Sequence, residues 1–337
     1  MDFVVTRAPF RISFAGGGTD LPSFYEREYG AVVSSAIDKH VYVIINRCRP
    51  ILSHGIDDAG RYRIRLSYSS TENVQHSDEL QHPIVREALW LLDLDIPMDI
   101  ATMSDVPAGN GLGSSGTFTV ALLHALHLVK EEDVGPEQLA AEAARIEIDI
   151  LGRPVGKQDH YAAAYGGLNA INFLGNGDVT VRPLGSPDML QDDLFPSLML
   201  LYTGVSRDAG AVLAEQRQNV DSLSNDLTTM RDHAHRMETL LDGEFHLQSF
   251  GDVLHQNWMR KRTLTAQITN GQIDQWYDRA MAAGAVGGKI CGAGGGGFLL
   301  LAVEPGRRAA VREALSELSE LPFGFEPQGS RALLPAG

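Results

Sequence analysis

Apolar residues along the chain change period several times, and each change marks an element. Short alternating runs bounded by turn residues predict strands in "FVVTRAPFRISF" (3–14), "AVVSSAIDKHVYVIINRC" (31–48), "RYRIRLSYSS" (61–70) and "MDIATMS" (98–104). "PIVREALWLLD" (83–93) reads as a helix between them, and "FTVALLHALHLV" (118–129) is apolar without a turn residue, as a buried helix is. From about 137 to 151, Leu139, Ala143, Ile146 and Ile150 recur at helical spacing until Gly152 and Pro154 stop the run. A shorter helix around "DHYAAAY" ends at Gly166 and Gly167, and "LNAINF" and "VTVRPL" flank "LGNGD", an Asn-Gly hairpin signal.

The acidic, Pro-containing stretch "GSPDMLQDDLFP" (185–196) reads as a junction, which divides the chain into domains at 1–190 and 191–337. Beyond it come a strand in "SLMLLYTG", amphipathic helices up to about 283, a strand in "GGFLLLAV", a helix in "RRAAVREALSEL" and a last strand near "GFEPQ". This order predicts an α+β sandwich. With 337 residues the chain exceeds the usual size of one core, so two domains sharing a cleft are expected.

Charge narrows the range of ligands. Lys plus Arg number 28 against 43 Asp plus Glu, and a net charge of −15 argues against nucleic-acid binding, which needs clustered cations. An anionic ligand must therefore find a local positive site. Two cysteines, Cys48 and Cys291, cannot build a disulfide framework, and "MDFVVTRAPF" lacks the features of a signal peptide, which together predict a cytoplasmic protein. No run approaches the ~18 apolar residues of a membrane span.

The segment "VPAGNGLGSSGTF" (106–118) packs four glycines and two serines between a strand and a helix. A Walker A loop is excluded because no Lys follows the glycines. Gly111, Gly113 and Gly116 match a dinucleotide fingerprint, yet "KEEDVGPEQ" and another helix follow where that unit needs a strand. The remaining form is P-x-x-x-G-L-G-S-S, met from Pro107 to Ser115. Small residues let successive amides converge on an anion, and the helix adds its positive end. Serine hydroxyls there cap the helix or ligate Mg²⁺. Read alone, such a turn is more often structural.

Two further blocks change its weight: "APFRISFAGGGTD" near the start and "GGKICGAGGGGF" near the end. The three blocks span residues 8–298, and in this order they resemble the GHMP small-molecule kinases, the superfamily of galactokinase, homoserine kinase and mevalonate kinase. The resemblance implies an N-terminal domain of the ribosomal protein S5 domain 2-like type and a ferredoxin-like C-terminal domain, with ATP and substrate between them. It assigns the ATP phosphates to Pro107, Gly109, Asn110, Gly111, Leu112, Gly113, Ser114, Ser115 and Gly116. It assigns Mg²⁺ to Ser115 and to Glu147, five residues before Gly152. The catalytic aspartate corresponds to Asp159, one residue further from Gly156 than in mevalonate kinases, and Arg11 corresponds to the arginine that pairs with it. From the residues alone, Glu147 reads as an exposed helix glutamate and Arg11 as a surface residue.

On the substrate side the resemblance points to Gly17, Gly18, Thr19 and Asp20, where galactokinases carry G-E-H-T-D. Glycines in place of Glu and His make a larger, less negative pocket, suited to an acceptor longer than a hexose that already bears a phosphate. The alternative is a tight turn needing positive φ. Lys157, with Arg153 and Arg207, supplies candidate cations for that phosphate. Gly294 and Gly295 are expected near the cleft, or else at a backbone crossing. Within the superfamily, "RISFAGGGTD", "SAIDKHVYV", "GKQDHYAAAYGG" and "KICGAGGGG" look most like the D-glycero-D-manno-heptose 7-phosphate kinases and their octose-phosphate relatives. That implies phosphorylation of an anomeric hydroxyl to a 1,7- or 1,8-bisphosphate, with a small-molecule sugar phosphate as partner. A kinase of free fucose or galactose, or a silent sensor on the same scaffold, are the alternatives.

Overall fold

The computed structural model describes residues 1–47, 63–205 and 219–333, with 210, 212, 214 and 215 between the last two segments. Among these residues the chain forms two sheets. The first begins with β1 (Phe3–Ala15), antiparallel to the long strand β2 (Gly30–Arg47). Strand alternation sends Phe10, Ile12 and Phe14 to one face and Arg11 and Ser13 to the other, and all five are buried. The register slips between Pro9 and Arg11 and again between Ser13 and Ala15, irregularities of the kind that re-aim side chains beside sites.

The length of β2 lets it pair twice more. Its second half takes β5 (Met98–Ser104) and its first half β6 (Leu168–Phe173), which continues through the Asn-Gly turn into β7 (Val179–Pro183). Strand β3 (Ile64–Ser67) runs parallel to β5 and antiparallel to β4 (Thr71–Val74). The short β12 (Arg331–Ala332) returns to β1 opposite Thr6 and Arg7. A one-turn helix, α1 (Pro22–Tyr25), lies between β1 and β2. Against the sheet lie α3 (Ser114–Val129) and α5 (Gln158–Tyr165), while α2 (Pro83–Leu91) packs on α3 and α4 (Pro136–Ala144) on α3 and α5. Helix α3 is central, burying Val120 through Leu123 together with Leu126 in one cluster with Val43, Ile45 and Ile100 of the sheet.

The second sheet is antiparallel, ordered β11 (Ser319–Glu320), β8 (Leu198–Tyr202), β10 (Phe298–Val303) and β9 (Ala285–Ile290). Its helices are α6 (Val220–Asp242), α7 (Leu247–Lys261), α8 (Gly271–Ala282) and α9 (Arg308–Ala314). Both faces of β10 are buried, which explains its unbroken apolar run. Phe298, Leu300 and Ala302 join Phe10, Ile12 and Phe14 in a core shared by the two halves, while Leu299, Leu301 and Val303 pack with Trp258 and Tyr277. Phe14 meets Phe250 edge-on across this shared core, with ring centroids 5.1 Å apart.

Several sequence expectations shift. The helix expected over 137–151 is α-helical only to Ala144 and continues as a π-helical turn over Arg145–Ile150. No strand forms at "GFEPQ"; Phe325 makes one bridge to Ile37, and the edge strand is β11 upstream. Pro322 and Pro327 remove donors from that segment. Strand β9 carries two glycines in a stretch whose sequence marks only a glycine cluster. Cys48, Arg61 and Tyr62, at the ends of expected strands, lie outside the described residues. Among the described residues, no helix is long and apolar enough to cross a membrane.

Candidate active site

The glycine-rich loop leaves β5 and turns into α3. Asn110 braces it from within: its Nδ2 donates to the Pro107 carbonyl and its Oδ1 accepts from the Leu112 N–H at 3.0 Å. Leu112 is buried in the shared core and anchors the loop from below. Gly113 caps α3 at φ +85°, a left-handed conformation that costs other L-residues energy. Gly109, Gly111, Gly113, Ser114 and Ser115 line a cleft whose other wall includes Arg11, Asp20, Gly156, Gln158, Asp159, Lys261 and Gly292. Gly116 lies behind the loop, where an added Cβ would be 2.8 Å from that of Asp159, so it permits the close approach of α3 and α5. A larger cavity of about 1010 Å³ lies at the other end of α5, bounded by Leu184, Phe195 and Phe325, and contains none of the expected site residues.

Arg11 and Asp159 meet beneath the loop. Nε of Arg11 donates to Asp159 Oδ1 at 2.8 Å and Nη2 lies 2.6 Å from the same oxygen, while Nη1 donates to the Gly111 carbonyl at 2.7 Å. The guanidinium thus grips one carboxylate oxygen and the loop backbone together. Gly113 sits over the pair: a Cβ there would be 3.1 Å from Asp159 Cγ and 3.3 Å from Oδ2.

Glu147, in the π turn, is 1% exposed, not a solvated helix residue. Its Oε2 accepts from Ser115 Oγ at 2.5 Å and from Arg153 Nη1 at 2.9 Å; its Oε1 accepts from Thr119 Oγ1 at 2.9 Å and lies 3.2 Å from His160 Nε2. Burial alone pushes this carboxyl up, but the His160 hydrogen bond and charge, the Ser115 hydroxyl and Arg153 outweigh it and hold it at about 2. Two adjacent oxygens, one a carboxylate held ionised, form a donor set that suits a hard cation. Among the described residues no cluster of three His, Cys, Asp or Glu could complete a protein-only metal site. Ser115 and Glu147 are the kind of oxygen donors that Mg²⁺ takes beside phosphate and water ligands, although the Arg153 guanidinium lies on both of their oxygens here.

Asp20 is buried opposite the loop, with Oδ1 accepting from Gly18 N at 2.8 Å and Oδ2 from Gln158 N at 3.3 Å. Burial raises its pKa above the ordinary carboxylate value, against those two hydrogen bonds. The Thr19 hydroxyl holds the turn by donating to the Gly16 carbonyl at 2.8 Å. Lys157 points elsewhere: its Nζ donates to the Gly177 carbonyl at 2.7 Å and stacks 5.0 Å from the centre of the Tyr25 ring. Arg153 sits on Ser115 and Glu147, 2.8 Å from the Ser115 hydroxyl, and Arg207 lies outside the described residues. Besides Arg11, the cleft wall carries the cation Lys261, the last residue of α7, whose Nζ donates to the Gly292 carbonyl at 2.5 Å. Nothing in the run "NWMRKR" distinguishes it.

Gly294 and Gly295 back away from the cleft onto Ile268, with Gly295 N donating to its carbonyl at 2.7 Å. Their neighbours Gly292 and Gly297 instead press on the phosphate-type loop. A Cβ at Gly111 would be 2.5 Å from the Cys291 carbonyl oxygen, and one at Gly292 would be 2.6 Å from the Gly111 Cα. The crossing joins the two halves backbone to backbone.

This fold and loop belong to a known class. Residues 83–167 match the GHMP kinases N terminal domain and residues 240–320 the GHMP kinases C terminal domain; the chain belongs to the GHMP kinases. Within that class it is similar to the D-glycero-alpha-D-manno-heptose 7-phosphate kinase of Campylobacter jejuni, 27% identical over 325 residues covering 94% of each chain. Among solved structures, a D-glycero-D-manno-heptose 1-phosphate kinase from Bacteroides thetaiotaomicron superposes with a TM-score of 0.78 at 25% identity, over 99% of this chain and 100% of that one. Galactokinase from Lactococcus lactis, complexed with galactose, shares the fold with a TM-score of 0.76 at 16% identity, over 98% and 95% of the two chains.

Proposed function

We propose that the protein is an ATP-dependent kinase that phosphorylates the anomeric hydroxyl of a heptose 7-phosphate or a close homologue, such as an octose 8-phosphate, in nucleotide-sugar biosynthesis. The observation that carries the chemistry is the grip of Arg11 on a single oxygen of Asp159. It commits Oδ1 to the arginine and leaves Oδ2 for the acceptor hydroxyl. Asp159 orients that hydroxyl and takes its proton as the oxygen–phosphorus bond forms and the bond to the ADP oxygen breaks. Arg11, held by the Gly111 carbonyl, faces the charge of the transferring group. Loop amides between Gly109 and Ser115 cradle the ATP phosphates at the start of α3. Ser115 and Glu147 are the residues that would hold Mg²⁺, which neutralises phosphate charge when bound. Asp20 accepts hydrogen bonds from sugar hydroxyls.

The choice of substrate rests on similarity to the two heptose-phosphate kinases, whose names place the phosphate differently, and on the glycines at 17 and 18. In this reading residues 1–190 form the nucleotide-binding domain and 191–337 the C-terminal one, with 331–332 rejoining the first sheet. The protein works in the cytoplasm. Incubation with ATP, Mg²⁺ and a panel of sugar phosphates, with product regiochemistry read by phosphorus NMR, tests the proposal. A second phosphate on C1 is expected. Strong turnover of free galactose or fucose with none of any sugar phosphate would reject the substrate.

A further inference from the structure

The first turn of α5 carries Asp159 and His160 side by side, and each holds one end of the glycine-rich loop through a partner. Asp159 binds Arg11, whose Nη1 donates to the Gly111 carbonyl at 2.7 Å. His160 instead reaches Glu147, whose Oε2 accepts from the Ser115 hydroxyl. Gly116 lets α5 come this close, since a Cβ there would lie 3.2 Å from the His160 backbone nitrogen.

His160 is buried, with Nε2 3.2 Å from Glu147 Oε1. A carboxylate oxygen accepts and does not donate, so the proton of this bond sits on Nε2. Nδ1 is buried without a hydrogen-bond partner, which leaves the bond to Glu147 to orient the ring. The other donor on Oε1 is divided: the Thr119 hydroxyl has a single hydrogen, with the Ser115 carbonyl at 3.0 Å and Glu147 Oε1 at 2.9 Å. His160 has no such second acceptor. Arg153 Nη1 binds Oε2 and the Ser115 hydroxyl, the oxygens a metal ion would take, so it cannot be the support behind them. One oxygen of Glu147 is thus tied back to α5 while the other faces the glycine-rich loop.

We propose that His160 is a positioning residue, which fixes the rotation of the Glu147 carboxylate so that Oε2 and the Ser115 hydroxyl form one oxygen pair for the metal ion that accompanies ATP. This rests on the proposed function, which makes Ser115 and Glu147 the metal's protein ligands, and adds the residue that aims them. The experiment reads binding: a non-hydrolysable ATP analogue is titrated by calorimetry into the full-length protein, over a range of Mg²⁺ concentrations and in EDTA. His160→Leu removes the donor and keeps apolar bulk. It should raise the Mg²⁺ concentration for half-maximal analogue binding about 10- to 100-fold, while affinity in EDTA changes less than about threefold, which also shows that the variant is folded. His160→Gln, whose amide offers an uncharged N–H, should keep most of the parent's metal affinity. In a Glu147→Gln background, His160→Leu should shift the metal dependence no further. If His160→Leu weakens the analogue equally with and without Mg²⁺, or leaves both as in the parent, the inference falls while the functional reading stands. A loss as large in His160→Gln as in His160→Leu overturns it as well. If Glu147→Gln alone leaves the metal dependence unchanged, the metal site of the functional reading falls, and the inference with it.

Discussion

Replacing Gly113 by alanine tests whether the loop and the Arg11–Asp159 pair form one rigid unit. Two costs follow from the structure. Alanine at φ +85° in a left-handed cap loses about 1–2 kcal/mol. Its Cβ would lie 3.1 Å from Asp159 Cγ, 3.3 Å from Oδ2 and 3.4 Å from Arg11 Cγ, so the pair must yield by a few tenths of an ångström. A misplacement of 1 Å costs about 10²-fold in rate, and a smaller shift should cost roughly 10-fold in kcat. For a domain of this size the stability loss corresponds to a fall in melting temperature of about 2–8 °C. Steady-state kinetics and a thermal melt measure both. Gly271→Ala is the matched control: no atom lies within 4 Å of its Cβ position, it opens a helix, and the change should stabilise by up to about 1 kcal/mol without altering kcat. Parental kcat in Gly113→Ala, with the melting temperature reduced, would show that the pair does not depend on the loop above it.

Three further outcomes follow. Asp159→Asn should lower kcat by about 10²–10⁴-fold while nucleotide affinity changes less than about threefold, because the loop proposed to cradle the phosphates is untouched; equal activity of the two enzymes would remove Asp159 from the mechanism. Glu147→Gln should raise the Mg²⁺ concentration for half-maximal rate by about 10- to 100-fold, and superimposable Mg²⁺ titrations would remove Glu147 from the metal site. Lys289 is 1% exposed, and burial lowers its pKa from 10.5 to about 7, so between those values the unfolded chain binds more protons than the folded one. The cost of burying it is complete below about pH 7 and disappears as pH rises towards 10.5, so the parent should gain up to ~1.4 kcal/mol of stability per pH unit across that window. Urea midpoints at pH 7 and pH 9 should lose this slope in Lys289→Met; an unchanged slope would mean that Lys289 is not the titrating group.

The parts of the fold readable from the chain are those that local physics writes in consecutive residues. The run Phe298–Val303 announces a strand buried on both faces, and the loop before Ser114 announces backbone shaped for an anion. Strand β9 is not legible in the sequence because Gly287 and Gly288 look like a turn. They are glycines for another reason: a Cβ on Gly287 would run into the backbone of Gly251, where α7 crosses the strand. The π turn at Arg145–Ile150 is hidden because the apolar period continues through it, and that turn holds Glu147. Lys157 and Lys261 show the limit for the site. The first stands beside Asp159 in sequence yet turns to Gly177; the second is remote in sequence and reaches the cleft because α7 ends there. Proximity of that kind comes from tertiary packing, and one sequence does not carry it.

The return of Arg331 and Ala332 to the outer edge of β1 has a consequence for how the protein is made. Opposite Thr6 and Arg7 the edge of β1 is completed only by residues that follow all four strands of the second sheet in the chain. That edge can therefore close only once the residues of the second sheet have been synthesised.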